Sequence, residues 1–134
     1  MSQQNKAAIT RLFKEGWVGP NIAIMNEILA PDVVDHGAIP GMPDGRDGYI
    51  GTLQFFNSVF TDWTIDIQRQ AADGDLVSTH LMLTSKHTGD GLGMPATGKT
   101  ISIEMMLMDR FANGLVAEEW LVMDNASMMG QITG

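Results

Sequence analysis

The sequence predicts an α+β fold, with N-terminal helices packed into the concave face of a curved, mainly antiparallel sheet. Three observations predict it. The first third of the chain carries helical apolar spacing, the second half carries strand alternation, and two tight-turn signals punctuate that half. Helices first and an antiparallel meander afterwards is not the alternation that builds βαβ units.

The elements follow in order. From Ser2 to about Gly16, Ala8, Ile9, Leu12 and Phe13 recur at helical spacing, and Gly16 is a natural stop. Pro20-Asn21 opens a second short helix, with Asn21 as N-cap, Ile22, Met25, Ile28 and Leu29 inward, and Pro31 as its close. An extended piece, Val33-Val34-Asp35-His36, leads into the breaker-rich stretch from Gly37 to Gly48. A third helix is expected from Asp47 to about Phe60, with Tyr49, Leu53, Phe56 and Phe60 near one face. Trp63, Ile65 and Ile67 then alternate with polar residues as a strand does. Asp73-Gly74 signals a hairpin into a strand from Leu76 to His87, and Thr88 to Lys99 reads as a loop. A strand from Thr100 to Ala112 turns at Asn113-Gly114 into a last strand, Leu115 to Asp124, followed by a tail of about one helical turn.

Composition bounds the rest. With 134 residues, 44% hydrophobic and 18% charged, the chain is expected to form a single domain with a real core. Eight Lys and Arg against sixteen Asp and Glu leave a net charge of −8 with no basic run, which argues against nucleic acid and anionic membranes as partners. No cysteine is present, so disulfides and thiolate chemistry are excluded. No apolar stretch approaches the ~20 residues that span a bilayer. The first residues lack the apolar core of a signal peptide, so a cytoplasmic location is expected. The strand from Leu76 to His87 is partly apolar on both faces, which predicts a homodimer through the outer sheet face.

Turn register points to chemistry. If Asn113-Gly114 is a plain two-residue turn, Phe111 faces Val116, Leu107 faces Trp120, Met105 faces Val122 and Ile103 faces Asp124. Asp124 then ends an apolar wall of Ile103, Met105, Leu107, Trp120 and Val122, and Phe56 and Trp63 are expected to complete the substrate pocket. A carboxylate so placed loses hydration and becomes fit for acid–base work near neutral pH. Equally, Asp124 is placed to cap the turn Asn125-Ala126-Ser127.

His36 and His87 each end a strand-like run beside a glycine-rich loop, where an imidazole serves a pocket mouth or bonds a loop carbonyl. Asp35 and His36 point to opposite faces of an extended segment and form no dyad. His80, in mid-strand, belongs to the dimer face or the core. Three scattered histidines give no metal-ligand spacing, so no metal and no cofactor is expected. The stretch Gly93 to Thr100 matches G-x-x-x-x-G-K-[ST] but lies between two predicted strands, without the helix that would hold a phosphate.

Glu118-Glu119-Trp120-Leu121-Val122-Met123-Asp124, with Met128-Met129-Gly130-Gln131-Ile132, resembles the E-x-W…D…QLG close of SnoaL-like polyketide cyclases. Val34-Asp35-His36, Phe60-Thr61-Asp62-Trp63, Lys86-His87-Thr88-Gly89 and Gly93-Met94-Pro95-Ala96-Thr97-Gly98-Lys99 fit further stretches of that family in order. Thr61 and Ala96 stand where the family has proline, and Lys86 breaks its G-T-H. The resemblance implies a nuclear-transport-factor-2-like, cone-shaped α+β barrel that dimerises around an apolar cavity. It also implies intramolecular aldol cyclisation or isomerisation of an apolar polycyclic or extended carbonyl compound. Asp124 would be the acid–base, His36 and His87 pocket histidines, and no metal or Schiff base would be needed. The alternatives are a non-catalytic binding protein for a small apolar ligand, or a dehydratase or epoxide hydrolase on the same fold. A hydrolase needs a polar set to orient water, for which Asn57, Asp66 and Arg69 are the candidates.

Overall fold

The computed structural model describes residues 2–134. Helix α1, Ser2–Arg11, runs on into a π-helical turn, Leu12–Gly16, and together they bury Ile9, Leu12 and Phe13. Helix α2, Ile22–Ile28, is capped as predicted: the Asn21 side chain accepts from the Ile24 amide. It ends earlier than predicted, because strand β1, Leu29–Asp35, takes over at once and absorbs Pro31. β1 is an edge strand, where a missing N–H is tolerated. Helix α3 spans Arg46–Val59. Four further strands follow, β2 Phe60–Asp73, β3 Leu76–His87, β4 Thr100–Ala112 and β5 Leu115–Met123. The chain closes with α4, Asn125–Thr133, longer than the single turn expected.

The sheet order is β1-β5-β4-β3-β2, with β1 parallel to β5 and the other pairs antiparallel. The inner face of β4 buries Ile101, Ile103, Met105, Leu107, Asp109 and Phe111, while the alternate residues face out. Helices α1 to α3 cover that inner face, so the core lies between helices and sheet. The β2–β3 turn falls one residue later than the Asp73-Gly74 signal, on Gly74 and Asp75, with Gly74 at φ +59°. The β4–β5 turn sits on Asn113-Gly114 as predicted, and both residues have the positive φ of a type I′ turn.

One local feature changes the chemistry of the sheet. Phe111 pairs with Val116 as the simple turn requires, but Arg110 then pairs with Glu118, so Ala117 is an extra residue on β5. That β-bulge advances every later pairing by one residue, and a one-residue slip exchanges the two faces. Leu107 therefore pairs with Leu121 instead of Trp120, and Met105 with Met123 instead of Val122.

Candidate active site

A cavity of about 520 Å³ opens between α3, the loop after β1 and the inner face of the sheet. Most of its wall is apolar. Phe56, Phe60, Trp63, Ile103 and Met105 lie along it, with Trp17 and Tyr49 near its polar end. This volume suits one small organic ligand. Polar groups gather where β1, β5 and α3 meet.

Asp35, the last residue of β1, pairs in register with Glu119 of β5, and both line the cavity. Glu119 is 1% exposed and its Oε1 accepts the Tyr49 hydroxyl at 3.1 Å. The Tyr49 oxygen in turn accepts the Trp17 indole N–H at 2.9 Å. Behind Glu119, on β4, stands its cross-strand partner Asp109, 0% exposed. The two carboxyls are close enough to influence each other's ionisation, and neither Asp109 oxygen accepts from any other donor among the described residues.

The backbone holds these groups in place. Gly48 lies against the Pro43 carbonyl, which a Cβ at that position would approach to 1.8 Å, so α3 seats tightly beneath the preceding loop and aims Tyr49 inward. Arg46 donates to the Leu29 carbonyl from Nη2 at 2.7 Å, tying the start of α3 to the α2–β1 junction. Asp35 Oδ1 accepts the Gly37 amide at 2.9 Å, which fixes its carboxyl at the entrance to the loop.

Burial sets the proton affinities. Desolvation raises Glu119 well above the usual carboxylate range, and the neighbouring Asp109 and Asp35 charges add to it. Desolvation also pushes Asp109 up to about 7, with Glu119 as a counteracting partner. Asp35 rises for the same reason, moderated by the Gly37 amide and by His36. Tyr49 is held far above 10 by burial and the adjacent carboxyls. The site thus offers Asp35, whose upward shift is opposed by the Gly37 amide and His36, beside a pair that retains protons.

The residues singled out from sequence fall in different places. Ile103, Met105, Phe56 and Trp63 line the cavity, and Val122 borders it while remaining 71% exposed. Leu107 is buried in the core outside the lining, and the bulge turns Trp120 to the outer face. The same bulge removes the register argument for Asp124. Its carboxyl lies outside the cavity lining and caps α4, accepting the Ser127 amide at 2.9 Å. His36 also lies outside: its ring stacks on Trp120 at 5.2 Å and its Nε2 meets Glu118 at 2.7 Å. His87 is 0% exposed and lies outside the cavity lining too, and its Nδ1 bonds Thr97 of the loop 88–99. Asn57 is used by the scaffold, bonding the Trp17 carbonyl and the Gly19 amide, while Asp66 and Arg69 are exposed on β2. The stretch Gly93 to Thr100 is loop running into β4, with no helix after it.

Asp35, Asp109 and Glu119 carry signals of their own. Asp109 interrupts the buried apolar alternation of β4, and of two adjacent glutamates in a strand one must face inward.

A conical α+β fold around an apolar cavity with carboxyls at one end defines a nuclear-transport-factor-2-like domain. The SnoaL-like polyketide cyclase family model matches residues 7–132, and the chain belongs to that family. The chain is similar to IdmH, a proposed polyketide cyclase from Streptomyces antibioticus, with 31% identity over 96% of this chain and 98% of that one, at a TM-score of 0.83. A proposed polyketide cyclase from Acidithiobacillus ferrooxidans is 27% identical over 99% and 96% of the two chains, with a TM-score of 0.84. A proposed SnoaL-like polyketide cyclase from Jannaschia sp. CCS1 shares the fold at a TM-score of 0.87, with 23% identity over 99% and 94%. No curated protein sequence matches. No helix among the described residues is long and apolar enough to cross a membrane.

Proposed function

We propose that this chain catalyses intramolecular aldol cyclisation or isomerisation of a flat, apolar carbonyl compound by acid–base chemistry, with Asp35 as base and the Asp109–Glu119 pair as proton donor. The observation that carries the reading is the in-register placement of Asp35 and Glu119 at the polar end of the apolar cavity. The ionised Asp35 takes a proton from the carbon beside the substrate carbonyl, and the C–H electron pair becomes the enolate double bond. Glu119 donates to the oxygen on which the negative charge collects. In cyclisation the enol carbon then attacks a second carbonyl, forming the C–C bond as the enol O–H proton returns to Glu119, and the new alkoxide takes the proton held by Asp35. In isomerisation Asp35 returns its proton to a different carbon while the enol O–H proton goes back to Glu119.

The two roles need different protonation states, and the environments separate them. While Asp109 and Glu119 both hold protons, one proton can bridge the pair and the other can face the ligand. Above about 7 Asp109 ionises, and the remaining proton is drawn between the two carboxyls.

The test needs no natural substrate. The exchange of the α-protons of 2-tetralone in D2O, followed by proton NMR, should be accelerated by the chain. Asp35→Asn should lower that acceleration by about 10²- to 10⁴-fold, the usual worth of a positioned base. Asp124→Asn should leave it unchanged. No acceleration, with 2-tetralone still changing the fluorescence of Trp17 and Trp63, would favour a binding protein without turnover.

The partner reading is also kept as a proposal. Met106 pairs with Val122 and Met108 with Trp120 on the outer face, all four exposed, which supports pairing with a second copy of the chain.

A further inference from the structure

Away from the acidic end, β3 presents Ser85 and His87 on the same inner face, both buried. Ser85 lies in the cavity wall, opposite Ile101 of β4, at the other end of that strand from Asp109. His87 stands next along β3, paired with Phe60, whose ring lies 5.6 Å from the imidazole. The loop 88–99 fixes the state of His87. Its Nδ1 accepts the Thr97 amide at 3.2 Å, so in the neutral ring the hydrogen is on Nε2. The Thr97 hydroxyl lies 3.0 Å from the same Nδ1 and donates to it in that tautomer.

Two buried polar groups are therefore left without partners: the Nε2–H of His87 and the hydroxyl of Ser85. A buried donor left unmatched is costly, and Ser85 in the cavity wall, with His87 next on the same face of β3 outside the lining, calls for a missing acceptor. An apolar ligand surface would not supply one. An oxygen on the ligand would.

We propose that Ser85, backed by His87, forms a second polar subsite of the cavity that binds an acceptor oxygen of the ligand, such as a ring carbonyl or quinone oxygen remote from the reacting one. The Ser85 hydroxyl donates to that oxygen. In the bound state the His87 Nε2–H, which makes no bond in the free chain, closes on Oγ, so His87 is a positioning residue and Ser85 the binding residue. This deepens the functional reading by naming the substrate as oxygenated at both ends, and it rests on the cavity being a ligand site.

The probes are 9-fluorenone and fluorene, which share shape and differ in one oxygen. Binding is followed by tryptophan fluorescence, and the His87 ring nitrogens by ¹⁵N NMR of the full chain. Fluorenone should bind at least about tenfold tighter than fluorene, the worth of a satisfied buried donor. It should also shift the His87 Nε2–H signal, which fluorene should not. Ser85→Ala should abolish both the preference and the His87 response while leaving fluorene binding intact. His87→Gln, which keeps a donor, should retain more of the preference than His87→Phe. A preference that survives Ser85→Ala, a His87 signal that ignores fluorenone, an Nδ1–H tautomer, or a water that still joins the two groups in the fluorenone complex would each overturn the subsite. If neither probe binds, the cavity reading fails with it. If exchange of 2-tetralone persists while the preference is absent, only the subsite falls.

Discussion

Asp109 and Glu119 face each other across β4 and β5, both fully buried, with no basic side chain among their hydrogen-bonding partners. Such a pair survives in the folded chain by holding protons, because two anions so close in a poorly solvated place would repel and lack hydration.

This makes stability depend on pH in a defined direction. Both groups bind protons more tightly in the folded chain than in the unfolded one, where they ionise near 4. The stabilisation is complete below the unfolded values and is lost as pH rises through the folded ones. For each proton so retained, stability should fall by about 1.4 kcal/mol per pH unit across that window. Thermal melting should therefore drop from pH 5 to pH 8. Asp109→Asn should flatten the decline and raise the melting temperature at pH 8. An unchanged slope in that variant would place the titration elsewhere.

Tyr49→Phe tests the link between site and scaffold. The hydroxyl donates to Glu119 and accepts from Trp17, so its removal leaves the buried indole N–H without an acceptor and the carboxyl without a donor. A loss of about 1–3 kcal/mol is expected from the stranded groups. Glu119 should hold its proton more tightly still, since the Tyr49 hydrogen bond works against its upward shift. Denaturant unfolding measures the first, and carboxyl-resolved NMR titration the second. Equal stability of wild type and variant would mean that water replaces the hydroxyl.

Asp124 should behave as a helix cap. Asp124→Ala removes the acceptor of the Ser127 amide and should cost about 1 kcal/mol, whereas Asp124→Asn retains a capping oxygen and should cost little. Neither should alter 2-tetralone exchange. Loss of exchange in Asp124→Asn with an intact fold would return the acid–base role to this residue.

These contrasts show where sequence is informative. Helix and strand periods located nearly every element, and β3 and β4 begin and end on the residues the sequence marked, because turn residues such as Asn113-Gly114 act locally. The site was less legible because it depends on strand phase. Nothing in Val116-Ala117-Glu118 announces a bulge, yet that one extra residue moves Trp120 and Val122 outward and Glu119 inward. At Asp35-His36 alternation shows that one side chain faces in, but only the parallel pairing of β1 with β5 selects Asp35. Asp109 was readable, being an acid on the buried face of an otherwise apolar alternation.

The outer face yields the last prediction. Across β4 and β5, Met106 opposes Val122 and Met108 opposes Trp120, forming an apolar strip of two adjacent cross-strand pairs. Polar pairs border it, His80 Nε2 with Glu104 at 2.7 Å and Arg110 with Glu118 at 3.2 Å. An apolar centre with a polar rim is how a protein interface is arranged. The chain should therefore run as a dimer in light scattering after size exclusion at micromolar concentration. Met106→Lys puts a charge into the strip without touching the core or the cavity, since Met106 is 51% exposed and outside the lining. It should give a monomer with an intact fold by circular dichroism, and 2-tetralone exchange should persist, because Asp35, Asp109 and Glu119 come from a single chain. A wild type that is already monomeric, or a Met106→Lys variant that stays dimeric, would show that this strip is not the contact between copies.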